Sequence, residues 1–144
     1  MEIAGPGGKR TVSAKDFFVD LLQTAVAPTE ILVSITAPET GKAVAYAKFV
    51  QKASGFAIAG CAVRADGDRV AVGITGVAPT AYRAAAVEAA LGRGSLTAAS
   101  IERASQHAVD DVEPLGDIHA SAEFRAHLAR VYTKRALDAA ASRK

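Results

Sequence analysis

"AYAKFVQKASGFAIAGCAV", residues 45–63, is the stretch on which the fold turns. Small apolar residues run from Phe56 onward, and a Ser-Gly break at 54–55 separates them from an earlier extended piece, 43–49. Two strands are therefore expected, at 43–49 and 56–64. The next residues, "ADGD" at 65–68, set Asp-Gly between alternating apolar runs, a strong hairpin signal, and add a third strand at 69–75. A three-stranded antiparallel sheet follows. Gly60, Gly73 and Gly76 weaken strands and so mark places where another backbone, a helix or a ligand comes close. Tyr46, Lys48, Lys52 and Phe56 introduce the buried-looking strand. By pattern alone the aromatics belong to the core, and the lysines to the solvent face of an edge strand, where they oppose aggregation. The competing reading is a ligand-facing surface.

Downstream of the sheet the period changes. A helix is expected to begin at Pro79-Thr80 and run through Tyr82, Ala86, Val87, Ala90 and Leu91 to Gly92. Thr97 caps a second helix bearing Ile101, Ala104, Ala108 and Val109 on one face. After the acidic loop "DDVEPLGDIHA", Ser121 and Glu123 open a third, with a stripe of Phe124, Leu128, Val131 and Leu137. This makes an α+β fold, a three-stranded antiparallel sheet covered by about three helices.

Upstream, "GPGG" at 5–8 is a turn between two short extended pieces. Ser13 and Asp16 open a helix expected to continue through Phe17 and Leu21 to Ala25, and "TEILVSITAP" alternates as a strand stopped by Pro38. The turn-rich "PETGK", 38–42, is the expected joint, giving domains at 1–38 and 39–144.

The 144 residues suffice for a sizeable core, rich in Ala and Val and poor in aromatics, with five Phe, three Tyr and no Trp. A net charge of +2 is too small to imply a nucleic-acid partner, although Arg130, Lys134, Arg135, Arg143 and Lys144 make a basic end. That end reads as a solvated helix face, with an anion- or nucleic-acid-binding domain as the weaker alternative. A single cysteine, Cys61, excludes an internal disulfide and a cysteine metal cage, and reads as a small buried hydrophobe of a cytoplasmic protein. No apolar run is long enough to cross a bilayer.

Catalytic motifs are missing from the sequence. "GPGGK" runs into "RTV" rather than completing a phosphate-binding loop, and no dinucleotide fingerprint or nucleophile elbow occurs. His107, His119 and His127 are not at metal-ligand spacing, and the carboxylates of 110–117 follow no calcium-loop order, so they read as a solvated loop. Neither catalytic nor metal-binding residues are assigned.

"AYAKFVQKASGFAIAGCAV" and "DGDRVAVGITGVAPTAYRAAAVEAAL", followed by "SAEFRAHLARVYTKRAL", closely resemble the C-terminal half of the FAD-binding medium subunit of aerobic carbon monoxide dehydrogenase and related xanthine-dehydrogenase-type molybdenum hydroxylases. "GPGGKRTVSAKDFFVDLLQTAVAPTEILVSITAP" looks like the last piece of the FAD domain of the same subunit, so residues 1–38 are expected to be a remnant (helix and strand) of an FAD-binding domain. The resemblance implies FAD as cofactor, with Ile31, Lys48 and Phe56 as contacts. Relatives often carry Tyr at the Phe56 position and Asp at that of Gly55; a phenyl ring can cover a flavin face but donates no hydroxyl hydrogen bond. Lys48 and Phe56 are expected side by side on one surface of the sheet.

By the same resemblance, electrons would arrive from an iron-sulfur small subunit and leave through the flavin, and a molybdopterin large subunit would choose the substrate. The family's glycine-rich FAD loops, of A-G-G-x-[ST] and T-[IVL]-G-G type, do not occur in these residues. The expectation is a truncated or split subunit, inactive alone; the alternative is a non-catalytic docking module for partner subunits.

Overall fold

A computed structural model describes residues 1–37, 39, 43–93 and 96–143. The 38–42 joint, apart from Glu39, lies outside the described residues, as do Ser95 and Lys144. The chain forms two compact units, Met1–Glu39 and Thr40–Lys144.

In the first unit, β1 (Glu2–Gly5) and β2 (Gly8–Thr11) form the hairpin whose turn the glycines announced. Helix α1 (Ala14–Phe17) lasts one turn. The helix expected to reach Ala25 gives way to a second hairpin, β3 (Phe18–Asp20) and β4 (Gln23–Thr24). Leu22 takes the left-handed conformation (φ 57°) that such a tight reversal requires and is fully exposed. Strand β5 (Ile31–Ser34) pairs antiparallel with the other side of β1, which puts Ile3, wholly buried, at the centre of the sheet β2-β1-β5.

The second unit carries the sheet read from the opening stretch: β6 (Val44–Val50), β7 (Ala57–Asp66) and β8 (Arg69–Thr75), antiparallel in that order. A fourth strand, β9 (Tyr82–Arg83), joins β8 where a helix was expected. Tyr82 is drawn into the sheet because its ring packs against the core and its hydroxyl donates to the Ala108 carbonyl at 2.8 Å. Helix α2 (Ala85–Leu91) starts only afterwards and ends at Gly92 (φ 60°). α2 has no cap of its own; Asp111 supplies one from the acidic loop by accepting the Ala86 N–H at 3.0 Å.

Thr97 caps α3 (Ala98–Ser105) through a reciprocal box with Ser100, and Ser121 caps the long α4 (Ala122–Ala141). One face of the sheet, Ala45, Ala59, Cys61, Val63, Val72 and Ile74, is buried in one core with Val87, Ile101, Leu128, Ala136 and Leu137 of the helices. Small residues on both sides let helix and sheet approach closely. The buried stripe of α4 keeps the expected Leu128 and Leu137 but otherwise differs: Arg125, Ala129, Thr133 and Ala136 are inside, Phe124 is exposed and Val131 half-buried.

Candidate functional site

The sheet has two faces of different character. Cα register pairs Tyr46 with Ala62 and Lys48 with Gly60, and carries the row on through Gly73 and Thr75 of β8. Residues directly opposite one another share a face, so this row lies on the side away from the core. Tyr46, more than half exposed, lies over Gly60: a side-chain carbon built there would be 2.5 Å from the Tyr46 hydroxyl.

At the end of this face β6 and β7 are joined by the 51–56 connection. The Gln51 side chain ties it by accepting from the Ala53 and Ser54 N–H groups at 2.6 and 3.0 Å, and Gly55 supplies a left-handed turn (φ 76°). The Lys48 ammonium donates to the Gly55 carbonyl at 2.8 Å. An ammonium has three donors, so two remain for an anion.

Lys48 and Phe56 do not share a surface as expected. Phe49 pairs with Ala59 but Val50 with Ala57, leaving Ile58 as the extra residue of a bulge. Ile58 and Ala59 consequently both point into the core, and Phe56 leaves the ladder on the side opposite Lys48. What the hairpin does bring together is the Lys48 ammonium and the peptide next to Phe56. Phe56 is 42% exposed, and its ring meets the His119 imidazole edge-on, with centroids 5.4 Å apart.

Arg125, to which the sequence reading gives no role of its own, holds this corner. Its guanidinium is buried and donates through one nitrogen to the carbonyls of Ile58 (2.7 Å) and Gly76 (2.5 Å), and through the other to Asp117 (2.6 Å). Asp117 in turn accepts the N–H groups of His119 and Ala120. These bonds, led by that from Arg125, hold the Asp117 carboxyl down to about 2. The Gly76 backbone (φ 80°) brings it so near Ala57 and Ile58 that no side chain fits. No periodic pattern signals such an arginine, because its partners are mostly main-chain carbonyls.

Ile31 belongs to the first unit, on β5, with 68% of its surface exposed. The preceding Glu30 is fixed by two bonds from Arg10 (2.8 and 2.7 Å) and one from the Ala27 N–H (2.8 Å), which together lower its carboxyl to about 2. A cleft of about 290 Å³ adjoins this pair and the 5–8 turn.

Elsewhere the chemistry is quiet. Burial pushes the Cys61 thiol up to about 11, so it is an inert core residue. Among the described residues no group of His, Cys, Asp and Glu is placed to hold a metal ion, and no helix is long and apolar enough to cross a membrane. The acidic loop is more than a solvated segment, since Asp110 pairs with His107, Asp111 caps α2 and Asp117 serves Arg125.

The second unit is thus a two-layer α+β arrangement with an arginine-held corner beside an exposed aromatic. Residues 44–140 match the CO dehydrogenase flavoprotein C-terminal domain family, and the chain belongs to that family. It is 34% identical over 148 residues to the carbon monoxide dehydrogenase medium chain of Hydrogenophaga pseudoflava, covering 98% of this chain and 52% of that one. It is 28% identical to the nicotine 6-hydroxylase medium subunit of Paenarthrobacter nicotinovorans, over 99% of this chain and 52% of that subunit. Among solved structures, the H. pseudoflava carbon monoxide dehydrogenase lacking the Mo-pyranopterin moiety superposes with a TM-score of 0.87 at 35% identity, over 99% of this chain and 52% of the other. Quinoline 2-oxidoreductase from Pseudomonas putida 86 gives 0.86 at 26% identity, with the same coverage. The chain thus spans about half the length of the relatives it matches.

Proposed function

We propose that this chain supplies the C-terminal part of a flavoprotein medium subunit in a molybdenum-hydroxylase-type oxidoreductase, where it helps hold FAD. The observation that carries the reading is the 51–56 hairpin, which offers an exposed, edge-supported phenyl ring at Phe56 and, on its other side, an ammonium with donors to spare at Lys48. Phe56 offers the flat apolar surface that a flavin ring needs; Lys48, on the opposite side of the ladder, does not meet the same ring face and is proposed only as positive charge for a phosphate of the cofactor. Ile31, exposed on β5, is proposed as an apolar contact from the first unit. Bound, the flavin would supply the electron-transfer chemistry that the side chains do not.

The protein's part is to orient and to set local charge. The Phe56 ring is met edge-on by His119 and the Lys48 ammonium is bound to the Gly55 carbonyl, contacts that reduce what must be ordered on binding. The phosphate-cradling amides of glycine-rich loops are not encoded in these residues, and we assign them to a separate polypeptide or region. Iron-sulfur and molybdopterin subunits are the proposed partners, as electron donor and substrate-oxidising component. We rank docking through the basic end second: Arg130 donates to the Gln106 carbonyl, Lys134 pairs with Glu102, Arg143 reaches the Val44 carbonyl and Arg135 lies over Tyr132, all within the unit.

The test is reconstitution. The chain is mixed with a polypeptide carrying the remaining half of the H. pseudoflava medium chain and FAD, desalted, and its visible spectrum recorded. Retained flavin bands, absent from either polypeptide alone, are the expected result. A stable assembly that retains no flavin would contradict the reading.

A further inference from the structure

We propose that His119 is a positioning residue for the flavin-facing ring of Phe56, set in place by the Asp117–Arg125 pair; the inference rests on the flavin reading and names a residue that reading does not use. Phe56 lies just before β7 and is an exposed residue, so the chain alone does not fix its rotamer. The His119 imidazole meets the ring at 5.4 Å and 73° between planes, an edge-to-face contact that leaves the ring open elsewhere.

His119 sits on a loop that is itself pinned. Asp117 accepts the His119 and Ala120 N–H groups at 2.9 and 3.0 Å, and the Asp117 N–H donates to the Ala120 carbonyl at 3.0 Å, closing a tight turn. Arg125 ties that turn to Ile58, two residues beyond Phe56, by binding Asp117 and the Ile58 carbonyl with one guanidinium. Both sides of the Phe56–His119 contact are therefore referenced to a single buried group. Lys48 fixes the preceding peptide through Gly55. A side chain held this way is presented in one orientation before any ligand arrives, the arrangement that a stacking contact with a flat cofactor needs.

The test has two readouts. In the free chain labelled with fluorophenylalanine, the Phe56 ¹⁹F resonance, assigned with Phe56→Leu, should move and change width in His119→Ala and return toward its original position in His119→Phe, which restores an aromatic edge. Circular dichroism should be unchanged in both, because His119 is exposed. In the flavin-loaded assembly, His119→Ala should weaken FAD binding roughly two- to tenfold, the range set by an aromatic pair. His119→Phe should bind nearly as wild type, and His119→Ala should add nothing in a Phe56→Ala background. An unmoved ¹⁹F resonance, or FAD binding weakened by Phe56→Ala but untouched by His119→Ala, overturns the proposal. If Phe56→Ala and Lys48→Met both leave FAD binding unchanged while the ¹⁹F signal responds to His119→Ala, the flavin reading is what fails, and the assigned role goes with it.

Discussion

The Arg125 guanidinium and the Asp117 carboxylate meet at 2.6 Å, the first with 4% of its side chain exposed and the second with 45%. The pair is lopsided: the cation is sunk in the fold while the anion keeps contact with water. Arg125 also satisfies the carbonyls of Ile58 and Gly76, so its loss strands acceptors that water reaches poorly. Arg125→Leu should destabilise the second unit by about 3 kcal/mol. Asp117→Asn, which keeps an acceptor, should cost much less. All three tyrosines, at 46, 82 and 132, lie in this unit, so tyrosine fluorescence during urea unfolding follows it selectively.

Acid should act through the same carboxylate. Asp117 is held from its ordinary 3.8 to about 2, chiefly by Arg125 and then by the His119 N–H. A depressed folded-state value means that its stabilisation is complete above the unfolded value and is lost as pH falls toward the folded one. The urea midpoint by tyrosine fluorescence should therefore drop between about pH 4 and pH 2. Asp117→Asn should flatten part of that drop; an equal drop in the variant would show that the carboxylate is not responsible.

Gly76 and Gly92 share a positive φ but differ in surroundings. A carbon added at Gly76 would lie 2.5 Å from the Ala57 carbonyl oxygen and 2.7 Å from that of Ile58, whereas nothing lies within 4 Å at Gly92. Gly92→Ala should cost about 1–2 kcal/mol, the conformational penalty alone. Gly76→Ala should exceed it by at least about 2 kcal/mol, because main chain must move and the Arg125 bonds with it. Comparing the two urea midpoints decides the point.

Gly60 offers a softer obstruction. Its added carbon would meet the end of the Tyr46 side chain, which can swing away. Gly60→Ala should shift the Tyr46 ring signals in NMR and cost less in Tyr46→Ala than in wild type, a coupling readable by a double-mutant cycle. Equal costs in both backgrounds would mean that Tyr46 does not lie over Gly60.

Legibility in the sequence followed how local the determining interaction is. The hairpin at Asp66–Gly67, the caps Thr97 and Ser121 and the Gly92 stop depend on neighbouring residues, and each could be read. Tyr82 could not, because its strand is fixed by Ile74 and by the Ala108 carbonyl. The first-unit helix failed where Leu22 reverses the chain, a position with no glycine to announce it. The stripe of α4 was legible in Leu128 and Leu137 and not in the rest, because its buried face also includes Arg125, Thr133 and alanines, which carry little hydrophobic signal. Lys48 and Phe56 were singled out through family resemblance, yet their placement on opposite sides of the ladder depends on the Ile58 bulge, which alternation alone does not reveal. His119 was weighed only as a metal ligand, because its partner is a ring 63 positions earlier in the chain.

The most direct measurement is the FAD dissociation constant of the reconstituted assembly, by flavin fluorescence, for wild type, Lys48→Met, Phe56→Ala and the exposed control Arg93→Ala. The hairpin account predicts at least about tenfold weaker binding for Phe56→Ala, a marked weakening for Lys48→Met that grows at low salt, and no change for Arg93→Ala. Wild-type constants in both hairpin variants would contradict it.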